Sequence, residues 1–382
     1  MATSTRPAEM PTVEDPMVYR IAMSMIRGMT VSLAQNLLKL TGTEREFFRM
    51  SDAELQSLLQ RRDIRSLGES VRREAMEAAR RECGFIYAHS VKCLYFLDEA
   101  YPQRLLQCED APLILYMIGD CDLNAPYMAA IVGTRHATPY GSGFTQGIIR
   151  DFGEQLVQPV TIVSGLAYGI DVEAHRAALE QGLPTVAVVA HGLDTLYPSA
   201  HRSIAARMVR EKGGIVTEYP SGTVIHRANF LARNRIVAGM SDCVIVSESA
   251  FKGGALVTAR IAGEYDREVF ALPGRTSDKY SEGCNELIAC NRAHLADSGR
   301  RIIDLMGWRR KTDEGSVQGE LFPLVSPEEE AVIEYLRIHD NATTNILSIN
   351  LGMPMASLLS LMIEMEFKGL IMKYPGGRYR LK

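Results

Sequence analysis

Between Tyr127 and Leu305, short apolar segments that end in turns alternate with helical segments. This alternation constrains the fold of the chain more than any other feature of the sequence. A continuous apolar segment that ends at a turn is typical of a strand buried on both faces of a parallel sheet. We predict such strands at residues 129–132, 161–163, 185–189, 214–217, 243–246 and 268–271. Helical segments separate them at 143–155, 172–181, 200–212, 230–238 and 255–265. The alternation predicts an α/β fold, a Rossmann-like doubly wound parallel sheet with right-handed crossovers.

The flanking sequence predicts further segments. A polar tail at 1–16 precedes a helical domain at 17–83, in which Ser51 and Glu54 have the spacing of a helix capping box. The Rossmann-like domain is extended to 84–310, because apolar segments at 93–96 and 113–116 fit strands added to one edge of the sheet. A charged linker at 311–325 leads to three helices and a hairpin at 326–382, the order of a winged helix.

The helical domain has the short helices and glycine turns of helix-hairpin-helix or sterile-alpha-motif modules, for which packing or docking is favoured over DNA contact.

Composition narrows the functional classes. The chain has a formal net charge of −4, so nucleic-acid binding requires a local basic groove. Its seven cysteines are an odd number without zinc-type spacing, which predicts reduced thiols and no metal. The first residues are polar, and apolar runs stay short of the ~20 residues that a membrane span needs. We therefore expect a cytoplasmic protein that does not contact membranes.

Two strand ends predict an anion site. Gly133, Thr134 and Arg135 follow the first strand and supply a permissive glycine, a hydroxyl and a fixed positive charge. Ser164 and Gly165 follow the second strand, where backbone N–H groups can face an anion. The carboxyl ends of parallel strands share one edge of the sheet, so these residues are expected to face one ligand. Asp171 is predicted to cap the next helix rather than bind a ligand.

Cofactor and catalytic patterns are weaker. Gly141 and Gly143 lie well past the strand end where a pyrophosphate would need them, so a dinucleotide cofactor is not predicted. His191 and Asp194 could form an acid–base pair, but no nucleophile motif accompanies them. We interpret them as structural hydrogen-bonding groups and predict no catalytic residues and no cofactor.

The densest positive charge lies at one predicted helix start. Arg227, Phe230, Arg233, Asn234 and Arg235 follow one another within nine residues. Guanidinium groups clamp phosphate oxygens, and a phenyl ring offers a face to an unstacked base. Alternatively, Phe230 belongs to the core and the arginines pair with Glu218 or Glu248. Because Arg135 is expected on the same sheet edge, we favour a groove for a single nucleic-acid strand.

An ordered set of motifs resembles the DNA-processing protein A (DprA, also called Smf) family. The motifs are 133-GTR-135, 164-SGLAYGID-171, 192-GLDTLYP-198, 229-NFLARNRI-236, 272-LPG-274 and 283-GCNELI-288. The resemblance implies a non-enzymatic protein that binds single-stranded DNA in natural transformation, protects it, assists RecA loading and forms a homodimer. Carried over to these positions, it implies that Arg135 and Arg227 hold phosphates and that Phe230 stacks a base. Arg233 and Arg235 would line the same groove.

Two other hypotheses stay open. The anion pocket around Gly133 and Gly165 would also suit an enzyme that binds a nucleotide or nucleoside phosphate. The winged helix, with a basic wing that includes Lys373, Arg378 and Arg380, could contact duplex DNA or another protein.

Overall fold

The structure, a computed structural model, describes residues 15–60, 64–312, 326–374 and 376–381. The predicted tail and linker lie largely outside these residues. The tail prediction fails at its end, because helix α1 already begins at Pro16, after Asp15. The Asp15 carboxylate accepts a hydrogen bond of 2.9 Å from Met17 N, and proline suits the first helical position.

Five helices form the front of the described chain: α1 (Pro16–Met25), α2 (Val31–Thr41), α3 (Glu44–Arg49), α4 (Asp52–Leu59) and α5 (Glu69–His89). The predicted capping box of α4 is present, with Ser51 and Glu54 bonded reciprocally. The predicted domain boundary at 83/84 falls inside α5. Cys83 and Ile86 on this helix belong to the same apolar core as Leu94 and Leu115, so the helix continues to where that core ends.

A nine-stranded sheet forms the centre of the molecule, in the order β1-β2-β6-β5-β4-β3-β7-β8-β9. Its strands are β1 (Lys92–Tyr95), β2 (Ile114–Gly119), β3 (Tyr127–Val132), β4 (Val160–Ser164), β5 (Thr185–Val188), β6 (Gly214–Thr217), β7 (Cys243–Val246), β8 (Glu268–Ala271) and β9 (His294–Leu295). The six predicted strands are present and pair in parallel. As expected, β1 and β2 add to one edge, and both pair antiparallel.

Helices cover both faces of the sheet. They are α6 (Gln103–Leu106), α7 (Pro139–Gln155), α8 (Ile170–Glu180), α9 (Arg202–Arg210, after a short 3-10 turn), α10 (Arg227–Gly239), α11 (Gly254–Glu264), α12 (Glu282–Ala289) and α13 (Gly299–Met306). One core joins α7, α8 and α13 to alternate residues of β3. The other core joins α10, α11 and α12 to the intervening residues, and it is continuous with the N-terminal helices. This two-sided cover confirms the doubly wound Rossmann-like architecture.

The C-terminal segment has a separate small core. Its elements are α14 (Pro327–Ile338), β10 (Ala342–Thr343), α15 (Thr344–Leu351), α16 (Met355–Phe367), β11 (Ile371–Tyr374) and β12 (Arg378–Leu381), and the strands form an antiparallel sheet in the order β10-β12-β11. This order is the one we predict for a winged helix, and the assignment stays a prediction. Arg378 pairs with buried Asp242 at 2.8 Å, at the amino end of β7.

Among the described residues no single helix has the length and apolar character needed to cross a membrane. Within the described part of the chain, one bent pair, α15 and α16 with an angle of 116° between them, has that length and apolar composition when the two helices are taken together.

Candidate nucleic-acid interface

The turn after β3 is packed too closely for any residue but glycine at its first position. A Cβ at Gly133 would lie 2.5 Å from Cγ1 of Ile170. Thr134 N donates to the carbonyl of Glu248 (2.8 Å), and its hydroxyl accepts from His136 N (3.2 Å). These contacts fix the backbone, while the side chain of Arg135 stays exposed. The turn therefore delivers one charged side chain to the carboxyl edge of the sheet.

Helix α10 begins at the same edge and meets Arg135. His226 caps the helix by accepting a hydrogen bond of 3.2 Å from Ala228 N. Phe230 is half-buried in the first turn, and the Arg135 guanidinium lies 5.7 Å from the centre of its ring. Arg227 is exposed at the helix start and forms no ion pair with another described residue. Arg135 and Phe230 thus meet at the surface, and exposed Arg227 precedes Phe230 by about one helical turn.

Two predicted ligand residues, Ser164 and Gly165, are buried. The Ser164 hydroxyl donates to the carbonyl of Ile131 (2.6 Å), so it ties β4 to β3. A Cβ at Gly165 would collide with the guanidinium of Arg233. The prediction that these two residues face an anion is wrong, because their space and hydrogen bonds are used inside the protein.

Arg233, which the resemblance places in the groove, lines a cavity together with Arg135 and Phe230 but is not exposed. Its side chain is buried, and its Nη1 donates to the carbonyl of Val188 (2.5 Å). Burial lowers the pKa of this guanidinium and raises the pKa of the Asp171 carboxyl, which the charge of Arg233 partly offsets. Arg233 stabilises the region beneath the site.

Arg235 lies apart from the site. It pairs closely with Glu218 and, at 3.8 Å, with Asp110. Burial raises the pKa of Glu218, and the charge of Arg235 opposes that effect. Arg235 thus pairs with Glu218, one of the two glutamates that the alternative interpretation named. The other, Glu248, accepts a hydrogen bond from Thr138 N (2.9 Å). Arg235 is therefore removed from the predicted groove.

A cavity of about 230 Å³ opens beside Phe230. Asn234 lines it, together with Gly133, Arg135 and the buried Asp171. The cavity lies between the carboxyl ends of β3 and β7, where the strand order changes direction, and open α/β sheets bind ligands at such points. Asn234 is thus near the site, inside the cavity rather than on the outer surface.

The loop after β4 differs from the prediction, whereas His191 after β5 agrees with it. Asp171 does not cap α8, since the helix begins one residue earlier and its cap is Gly169. The Asp171 carboxylate accepts instead from Ala167 N at 3.4 Å. His191 is buried and accepts from Tyr197 N (3.1 Å), which agrees with its structural interpretation.

Sequence reasoning missed one aromatic residue of the site. Tyr197 is exposed, and its ring centre lies 5.7 Å from that of Phe230, at an interplanar angle of 63°. The available signal was its place after β5, at the same edge of the sheet. No group of three or more His, Cys, Asp or Glu side chains among the residues described is arranged to hold a metal ion.

Known proteins are similar to this chain in sequence and in fold. Residues 92–307 match the family described as DNA recombination-mediator protein A. Protein Smf of Escherichia coli (strain K12) is 35% identical over 295 residues, which are 75% of this chain and 76% of Smf. DNA processing protein DprA of Streptococcus pneumoniae (strain ATCC BAA-255 / R6) is 39% identical over 207 residues, 54% of this chain and 71% of DprA.

Two solved structures are also similar. The X-ray structure of DprA from Streptococcus pneumoniae superposes with a TM-score of 0.62 at 29% identity, covering 77% of this chain and 98% of that one. A DprA structure from Helicobacter pylori, described by its single-stranded DNA binding mode, gives a TM-score of 0.50 at 31% identity. It covers 56% of this chain and 94% of its own. By sequence and by fold, the chain belongs to the DNA recombination-mediator protein A (DprA/Smf) family.

Proposed function

We propose that this protein binds single-stranded DNA at the carboxyl edge of its sheet, and that it serves DNA processing in natural transformation. The observation that carries the proposal is the exposed Arg135 guanidinium 5.7 Å from the Phe230 ring, beside exposed Arg227. Two cations near an accessible ring suit a DNA strand, because the guanidinium groups can bind its phosphates while the ring stacks against a base. The Helicobacter pylori relative, described as binding single-stranded DNA, supports the same conclusion.

The electrostatics of α10 support an anionic ligand. Its first turn contains no acidic residue and begins with Arg227, although helix N-termini favour negative charge. A cation there costs the isolated protein a little stability. A bound phosphate would reverse that cost, because it interacts favourably with both the guanidinium and the free N–H groups of the helix.

The binding test uses Arg135→Ala and Phe230→Ala with labelled oligo-dT, measured by fluorescence anisotropy at several salt concentrations. We expect Phe230→Ala to weaken binding by about 1–3 kcal/mol, the usual worth of a stacked base. Arg135→Ala should reduce the slope of log K against log salt by about 0.7, since one phosphate contact is lost. Arg150→Ala, at an exposed arginine on α7, is the matched control. Unchanged binding by both site variants would refute the proposal.

RecA loading and homodimer formation belong to the same proposal. We expect addition of the protein to speed RecA filament formation on single-stranded DNA, with Phe230→Ala much less effective. Light scattering after size exclusion should give twice the mass of one chain. A monomer at all concentrations would refute the homodimer. RecA filament formation at the unassisted rate would refute RecA loading.

We also propose that the protein binds DNA without cleaving it and works in the cytoplasm. The competing function, an enzyme acting on a nucleotide, is favoured by the cavity of about 230 Å³. Thermal shift distinguishes the two, because a ligand raises the melting temperature according to its affinity. Stabilisation by oligo-dT but not by mononucleotides is expected, and the reverse would favour the enzyme. For the winged helix, a gel shift of residues 326–382 with duplex DNA separates DNA contact from protein contact.

A further inference from the structure

A series of ring and cation contacts, in two groups joined by the peptide bond between Arg135 and His136, lies along the carboxyl edge of the sheet. Its first half is Tyr197, Phe230 and Arg135. His136 follows Arg135 directly, and its ring centre lies 6.3 Å from that of Tyr280, with the two planes 29° apart. Lys279 Nζ lies 5.7 Å from the centre of the Tyr280 ring. We call His136, Lys279 and Tyr280 the distal platform.

The sheet order places the two halves on opposite sides of Arg135. Tyr197 follows β5, whereas the carbonyl of Tyr280 accepts a hydrogen bond of 2.7 Å from Ser249 N, just after β7. Strands β4 and β3 lie between β5 and β7. Three strand spacings separate the end of β5 from the end of β7 by about 14 Å. The series is therefore a path along the edge rather than one cluster.

The loop that carries the distal platform is held in place. Asn285 bonds both backbone groups of Gly274, at 3.1 and 3.0 Å, and the Tyr140 hydroxyl donates to the carbonyl of Pro273 (2.6 Å). A fixed loop presents its side chains at a lower entropic cost on binding.

The exposed groups of the distal platform suit a nucleic-acid strand. His136 and Lys279 are exposed and Tyr280 is half-buried. Both rings are therefore accessible to a ligand, while the Tyr280 ring is also held by contacts with the protein. Arg275 and Lys279 outnumber the one acidic residue of the loop, Asp278. Aromatic rings beside cations bind unstacked bases and their phosphates without regard to sequence.

We propose that the DNA strand continues past Arg135 onto the distal platform, where a base stacks on Tyr280 and Lys279 contacts a phosphate. This inference rests on the proposed single-stranded DNA binding and extends it. A short oligonucleotide would fill only the half with Phe230, whereas a longer one would reach both halves.

The test measures affinity for oligo-dT of increasing length, from about 4 to about 16 nucleotides, the range of known single-strand sites. Tyr280→Ala should bind short oligonucleotides normally and lose between about 5-fold and about 100-fold in affinity for long ones. Tyr280→Phe keeps the ring and should restore binding. Phe230→Ala should lose affinity at every length. Tyr87→Ala removes an exposed tyrosine on α5 and serves as the control.

Each outcome decides between the two proposals. If Phe230→Ala weakens binding but Tyr280→Ala does not at any length, the distal platform is wrong and the proposed function stands. An equal loss for short and long oligonucleotides in Tyr280→Ala would also overturn the extension. No effect of Phe230→Ala would refute the proposed function itself. If Tyr280→Ala does not fold, Lys279→Ala decides instead, with a salt slope reduced by about 0.7 for long oligonucleotides only.

Discussion

The first turn of α10 and the turns that follow it place the same type of residue in opposite environments. Arg227 is exposed at the helix start, whereas Arg233 is buried beneath the sheet edge and Arg235 is paired with Glu218. An α-helix turns about 100° per residue, so Arg227 and Arg233 lie about 120° apart around the axis, and Arg233 and Arg235 lie about 160° apart.

Residues that are close in the sequence of a helix therefore need not lie on the same face of it. Only the exposed face of α10 can contact DNA, and the other arginines hold the helix on the protein. Substitutions along this one helix should therefore separate into effects on stability and effects on binding.

The largest expected effect on stability is at Arg233. Arg233→Met would leave the carbonyl of Val188 without its donor and the buried Asp171 without its nearby positive charge. A buried polar group that loses its partner costs about 1–3 kcal/mol, more when charge is involved, so we expect a loss of about 3 kcal/mol in the free energy of unfolding, measured with urea. Arg227→Met, on the same helix, is the control and should not lower the free energy of unfolding, because it only removes a cation from the helix start. Equal losses of unfolding free energy in the two variants would show that Arg233 is no more important for stability than Arg227.

Arg235 is the intermediate case. Its pair with Glu218 is mostly buried, with 18% and 16% of the side chains exposed. We expect Arg235→Ala to lower the free energy of unfolding by about 2 kcal/mol, between a surface pair and a buried one, and to leave oligo-dT affinity unchanged. Arg260→Ala breaks an exposed pair with Glu264 and should cost at most about 0.5 kcal/mol. If Arg235→Ala weakened DNA binding, Arg235 would have to be part of the DNA-binding groove after all.

The buried region should also be sensitive to acid. Burial, together with the charges of His201 and Arg233, lowers the pKa of His175 from 6.5 to about 3. Below pH 6.5 the unfolded chain binds a proton that the folded protein does not, so stability falls as the pH drops from 6.5 toward 3. The contribution approaches about 1.4 kcal/mol per pH unit.

His175→Asn should make urea unfolding less dependent on pH between 7 and 5, roughly the upper part of that window. His89→Asn, at an exposed histidine of α5, controls for the loss of a histidine. The same pH dependence in wild type and His175→Asn would mean that His175 is protonated in the folded protein.

The smallest expected effect has the opposite sign. Arg227→Ala removes a cation from the start of α10, so the free energy of unfolding should rise by about 0.3–1 kcal/mol. The same variant should bind oligo-dT more weakly at every sequence, since it loses a phosphate contact. A loss of stability together with unchanged binding would assign Arg227 a structural role.

Much of the fold could be predicted because its determinants are local. Strands β6, β7 and β8 have the predicted limits, since short apolar runs between turns have few other uses in a soluble chain. The boundary at 83/84 was wrong because α5 continues along a core that it shares with β1 and β2, and that core is assembled from distant parts of the chain. Similarly, the buried position of Ser164 depends on a bond to Ile131 in the neighbouring strand.

The doubly wound sheet, the residue types at its carboxyl edge and the location of Arg135, Arg227 and Phe230 there could all be predicted from the sequence alone. Apolar periodicity and strand direction are written along the chain and are enough for these conclusions. Which arginines of α10 reach solvent, and which rings contact Phe230 and Tyr280, could be seen only in the folded structure. Those outcomes depend on helix phase against the sheet and on contacts between loops remote in sequence, which no local pattern encodes.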